Sequence, residues 1–99
     1  MIFIKIGWMK YTEEQKEMIT NFGALGYDPE RCAGVMAVDV AGIVSMMKDK
    51  SSEFAKLYAL GQYRAEYVID VKLFELAQAG DIKAVEKLEM RKRVRNTKR

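Results

Sequence analysis

The chain contains no histidine, one cysteine and one proline among its 99 residues. Without histidine it lacks the commonest general base near neutral pH, and with it every Ser-His or Cys-His nucleophile arrangement. A lone Cys32 excludes an internal disulfide, fits a reducing compartment, and leaves no thiolate or imidazole set to ligate a metal. No glycine-rich loop of the phosphate-cradling kind is present. The acids at Glu13-Glu14 and Glu86-Glu89 read as helix faces, not as a paired catalytic carboxylate site. These absences set the expectation of a chain with no catalytic centre, no cofactor and no metal. The single proline, Pro29, leaves long stretches free to be helical, because nothing in them lacks a backbone donor or clashes with the preceding turn.

Long apolar runs are also missing. The opening MIFIKIGWM is too short to span a bilayer and has neither a charged leader nor a small-residue cleavage site, so no membrane segment or targeting signal is expected. Residues 1 to 11 read as an N-terminal extension, or the first eight as a short strand through Ile2, Ile4 and Ile6 that pairs with another subunit.

What the chain does have is foldable composition and an uneven charge. Apolar residues make up 49% and charged residues 31%, which supplies hydrophobic content and argues against global disorder. A chain of this length forms one domain with a modest core unless a partner surface completes it, so a homo-oligomer is expected. The formal charge is +3, from 17 lysines and arginines against 14 acids. Six of the cations (Arg91, Lys92, Arg93, Arg95, Lys98 and Arg99) follow Met90 with no acid among them, which leaves the first 89 residues at a net −3. An acidic body with a basic end points to a polyanion-binding arm, the alternative being a solvated, solubilising tail.

Local signals predict five helices. Thr12, three residues before Gln15, forms a capping box, and Met18, Ile19, Phe22 and Leu25 give one buried stripe before a stop between Gly23 and Gly26. Asp28-Pro29-Glu30 is an aspartate cap with proline at the first helical position. That second helix is short, because Ala37-Val38-Asp39 reads as a turn with a new aspartate cap. The third helix covers Val40 to Lys48. Ser51 or Ser52 caps a fourth that runs to Ala79, about seven turns. One of its stripes passes through Phe54, Tyr58, Gly61, Ala65 and Val68, and the other through Leu57, Leu60, Tyr67, Val71 and Phe74. Three short helices cannot cover both, so the second stripe is expected to meet another subunit. Gly80 stops this helix, and Asp81 caps a fifth whose Ile82, Val85 and Leu88 pack back as an αα-hairpin. Trp8 and the tyrosines at 58, 63 and 67 read as core or interface before base-stacking groups.

The second and third helices have the periodicity of a helix-turn-helix. With Ala33 at the close crossing, apolar residues are expected one before it and three, five, ten and thirteen after it. Cys32, Met36, Val38, Ile43 and Met46 stand there. Such a turn usually carries glycine where this chain has Ala37. In that register Asp39, Val40, Ala41, Val44 and Ser45 face outward, where base readout ordinarily uses arginine, lysine, asparagine or glutamine. Affinity would then come from phosphate contacts by Lys48, Lys50 and the terminal cations. All six terminal cations engaged would give a log-log salt slope of about −5. The resulting division is a helix-turn-helix region over 12 to 50, an oligomerisation hairpin over 51 to 90, and a basic tail over 91 to 99.

The order of a helix-turn-helix, Phe54-Ala55-Lys56-Leu57-Tyr58 with Gly61, a long helix, and Leu73 through Ala84 resembles small terminase subunits of tailed phages and related prophage proteins. There a Tyr, a Gly and then Leu-x-x-x-Ala-x-x-Gly-Asp-x-x-Ala follow the DNA-binding helices. Tyr58, Gly61, Leu73, Ala77, Gly80, Asp81 and Ala84 occupy those places, and the likeness covers residues 12 to 90. It implies an all-α subunit that binds double-stranded viral DNA and assembles as an oligomer through its central helices. It further implies delivery of that DNA to a large ATPase and nuclease subunit in the cytoplasm of a bacterial host, from a phage or prophage gene. This chain departs from the family in its outward helix face, which is poor in polar readers, and in being shorter than many members. Two other readings of the same residues are a helical protein-interaction adaptor, whose helix-turn-helix is only scaffold, and a dimeric transcription or transposition regulator.

Overall fold

The structure is a computed structural model that describes residues 11 to 97, and among these it is helical with no strand. The elements are α1 (Glu13–Leu25), α2 (Pro29–Met36), α3 (Val40–Lys48), α4 (Glu53–Gln78) and α5 (Ile82–Thr97). The expected all-α order of three short helices, a long helix and a C-terminal helix is what the chain forms. The strand considered at Ile2, Ile4 and Ile6, and the cations Lys98 and Arg99, lie outside the described residues.

Four of the five described helices begin where a side chain satisfies one of their first free amides. The Thr12 hydroxyl accepts from the Gln15 amide at 3.1 Å, and the Gln15 side chain accepts from the Thr12 amide at 2.9 Å. Asp28 accepts from the Arg31 amide at 2.8 Å, with Pro29 opening α2. Of the two serines before α4, Ser52 is the cap. Its hydroxyl accepts from the Ala55 amide at 3.0 Å and donates to the Met46 carbonyl at 2.6 Å. Asp81 accepts from the Ala84 amide at 3.1 Å. Asp39 is the exception to expectation: it stands before α3, but its side chain caps nothing.

Three helix ends share one device. Gly26, Ala37 and Gly80 have positive φ, and the residue after each donates back across the last turn. These bonds run from Tyr27 to the Phe22 carbonyl (3.0 Å), from Val38 to Ala33 (3.1 Å) and from Asp81 to Leu76 (3.0 Å). This is the left-handed stop that satisfies orphan carbonyls. At the first of them the Phe22 and Tyr27 rings stack with centroids 5.7 Å apart, and the Arg31 guanidinium lies 5.7 Å from the Tyr27 centroid.

Two compact units divide within α4, one ending at Ala65 and the other beginning at Glu66. In the first, Tyr11, Ile19, Phe22, Cys32, Ala33, Ile43, Met46 and Phe54 form the core. Large apolar side chains of this kind stabilise by about 1.5–3 kcal/mol each when fully buried. Polar atoms inside are matched. Tyr11 donates to the Met46 sulfur at 3.4 Å, and Tyr58 donates to the Tyr27 carbonyl at 2.8 Å. Burial raises the pKa of both phenols, in each case with a smaller contribution from nearby negative groups. The first turns of α4 belong to this unit, because α1 and α4 touch backbone to backbone at Gly23 and Gly61. A side chain at either would overlap the Tyr58 or Thr20 carbonyl oxygen of the other helix.

The second unit is a hairpin of the last turns of α4 with α5. The packing stripe expected through Ile82, Val85 and Leu88 is corrected: Ile82 is 71% exposed and Val85 is also exposed. Ala84 is the buried residue of α5, with Leu88 and Arg91 partly covered. The reason lies across the hairpin. Asp70 takes Arg91 Nε on one carboxylate oxygen and an Arg95 terminal nitrogen on the other, each at 2.7 Å. Positions 84, 88, 91 and 95 share one helical face, so the side of α5 that carries both arginines is also the side on which Ala84 is buried, with Ile82 on another.

Candidate nucleic-acid interface

Helices α2 and α3 pack directly on one another. The spacing read around Ala33 is realised: Cys32, Ala33, Ile43 and Met46 are buried, and Met36 and Val38 pack partly buried against the same core. Ala37 holds the turn at φ 58°, ψ 46°. That left-handed conformation costs an L-residue with a Cβ about 1–2 kcal/mol. The chain therefore meets the geometric demand of the turn without the glycine that would relieve it.

With Ile43 and Met46 inward, α3 turns its other side out. Val40 is 37% exposed, Ala41 and Ser45 are exposed, and Val44 is half-buried. Lys48 and Lys50 are exposed at its C-terminal end, where the helix dipole favours cations. Asp49 sits between them and is turned to the loop. It accepts from the Ser51 amide at 3.0 Å and the Ser51 hydroxyl at 2.7 Å, and these bonds hold its carboxyl below the usual range. Asp39 is exposed beside Val40. The outward face thus has shape and access but no arginine, asparagine or glutamine.

The basic end is helical over its described residues. Residues 91 to 97 are helix, continuous with α5, and the Asp70 carboxylate engages Arg91 and Arg95. The Arg91 hydrogen bond leads in holding the Asp70 carboxyl below its ordinary range, with the Arg95 bond and both positive charges adding to it. Lys92 lies 3.4 Å from Glu89. Arg93 points away from that network, without a carboxylate partner among the described residues. Of the six terminal cations, Arg91 and Arg95 thus share one carboxylate of the same chain.

The expected oligomer stripe also divides. Leu57 packs against the core of its own subunit. Leu60, Tyr67 and Phe74 are exposed, and Val71 is half-buried. Sequence reasoning missed the Asp70 clamp, because its partners lie 21 and 25 residues away and no local pattern announces such a pair.

No family model, curated protein or solved structure matches the chain. The chemistry that can be argued therefore comes from its own geometry. Among the described residues no group of three or more His, Cys, Asp or Glu side chains is placed to hold a metal. No described helix is long and apolar enough to cross a membrane.

Proposed function

We propose that the chain is an oligomeric, non-catalytic subunit that binds duplex DNA, of the small-terminase kind, and delivers phage or prophage DNA to a large ATPase and nuclease subunit in a bacterial cytoplasm. The observation that carries the reading is the α2–α3 pair. Ile43 and Met46 anchor the second helix, while Val40, Ala41 and Ser45 remain open to solvent. A helix held in this way can enter a major groove. Val40 and Val44 suit thymine methyl groups, and Lys48, Lys50 and Arg93 suit phosphates. Sequence discrimination by one copy is weak for want of bidentate readers, so affinity is gained by repetition in an assembly. Apolar side chains exposed in the second unit, Tyr67, Phe74, Met90 and Val94 among them, leave surface for that assembly.

Fluorescence anisotropy with duplex DNA at two salt concentrations, together with light scattering on the free protein, tests this. Binding that weakens steeply with salt, on a particle larger than a dimer, is the expected result. A dimer that binds DNA would point instead to the regulator. The adaptor reading is favoured by one feature, the apolar outward face beside Asp39; failure to bind DNA at low salt would refute the packaging reading and favour the adaptor.

A further inference from the structure

A shallow groove of about 360 Å³ runs along α1 against α2, with Glu14, Glu17, Met18, Phe22, Leu25 and Val35 among its lining. Its apolar wall is open: Leu25 is 66% and Val35 54% exposed. Both acids lie toward the N-terminal end of α1 and the apolar residues toward the other. Along α1 the lining positions 14, 18, 21 and 25 follow a four-three-four spacing, the repeat by which one helix seats against another.

The same pattern recurs with opposite charge on α5. Lys83, Lys87, Met90 and Val94 follow the four-three-four spacing on a stripe that flanks the one carrying Ala84 and Arg91. Met90 is 59% and Val94 50% exposed, and both lysines are exposed. Neither lysine has an ion pair among the described residues. Both stripes run eleven residue steps from end to end, about 16 Å of helix.

We infer that the α1–α2 groove receives α5 of a second copy of this chain, the two helices running parallel. Lys83 and Lys87 lie beside Glu14 and Glu17, Met90 over the Phe22 level, and Val94 beside Leu25 and Val35. An antiparallel seating would set the lysines against Leu25 and leave both acids unmatched, so charge fixes the direction. Groove and helix are different surfaces of one chain, which makes the interface head-to-tail. Such a contact propagates from copy to copy and closes into a ring or continues as a filament. The inference rests on the oligomeric reading above and specifies the surfaces that produce it.

The test uses two full-length variants, Val35→Asp in the groove and Val94→Asp on α5. Both positions are exposed, so circular dichroism and the melting transition of each should match the parent in dilute solution. Each variant alone should self-associate about ten-fold or more weakly than the parent, because a carboxylate is taken into an apolar seam. Mixed one to one, they should form pairs and nothing larger, since one groove and one helix remain intact. Glu14→Lys/Glu17→Lys and Lys83→Glu/Lys87→Glu should each assemble poorly alone and, mixed one to one, recover parent-like assembly, because both contacts between unlike copies are then charge-matched. Parent-like assembly of Val35→Asp and Val94→Asp alone, or no pairing in their mixture together with no recovery in the charge-swapped mixture, would overturn the head-to-tail seam and leave the oligomeric reading standing. A parent that stays monomeric at every concentration would refute both. Loss of parent assembly on removal of residues 1 to 8, with Val94→Asp unaffected, would assign the groove to those residues and overturn the proposal.

Discussion

Replacing Gly61 with alanine should destabilise the first unit although alanine is the better helix former. The backbone preference alone favours alanine by about 0.8–1 kcal/mol in a helix interior. Against it stands the crossing with α1. The new Cβ would overlap the Thr20 carbonyl oxygen, and would lie 2.8 Å from its carbon and 3.0 Å from the Ala24 nitrogen. These are backbone atoms of a hydrogen-bonded helix and cannot rotate aside, so α1 and α4 must separate. Separation loosens Ile19, Phe22 and Phe54, which have almost no exposed surface. Overpacking of this kind costs about 1–3 kcal/mol and exceeds the propensity gain when the obstacle is rigid. In a domain of this size each kcal/mol moves the thermal midpoint by about 4–8 °C. Gly34→Ala is the matched control, since a Cβ there meets nothing within 4 Å, and it should raise the midpoint. Thermal and urea unfolding followed by circular dichroism, at fixed protein concentration, reads both. A Gly61→Ala protein as stable as the parent would refute the close crossing.

Three further outcomes follow from the site. Ala37→Gly should stabilise the body by about 1 kcal/mol by relieving the left-handed turn, measured as a shift of the urea midpoint with unchanged slope. Asp70→Asn should free Arg91 and Arg95 and steepen the salt dependence of DNA binding by about 0.9 per arginine that reaches a phosphate. Because the folded Asp70 pKa is depressed, its contribution to stability is present above the unfolded carboxylate pKa and is lost as pH falls through the folded value. An acid titration of helicity should therefore lose that component in the Asn variant. Lys48→Ala and Lys50→Ala should each flatten the salt slope by about 0.9 with little sequence preference in the effect; an unchanged slope would remove α3 from the DNA surface.

Helix starts and stops were legible because their causes are local. Thr12 with Gln15, Asp28 with Pro29, and Gly80 with Asp81 lie within one turn of what they control. The inward pattern around Ala33 was legible for the same reason, since apolar spacing on a short helix fixes which side is buried. Asp39 misled, because an aspartate before a helix is an opportunity to cap and not an obligation. Ile82 and Val85 misled more seriously. The face of α5 that packs carries Ala84, Leu88 and the two arginines that meet Asp70 on the neighbouring helix, and only the folded hairpin brings those three charges together. Leu57 shares its helical stripe with Tyr67 and Phe74 and so reads as oligomer interface, whereas in the fold it packs partly buried against the core of the first unit, a difference that spacing along one helix does not show.

Cys32 has no exposed surface, and its thiol, raised in pKa chiefly by burial, faces the Tyr27 carbonyl at 4.0 Å. A thiol-reactive dye can therefore modify it only during excursions that part α2 from the rest of the body. With one such atom in the chain, the labelling rate under native conditions is a clock for that opening. If duplex DNA grips the α2–α3 pair, saturating DNA should slow the clock in proportion to the affinity it adds. Labelling at the same rate with and without DNA would mean that the nucleic acid, where it binds, leaves these two helices as free to breathe as before.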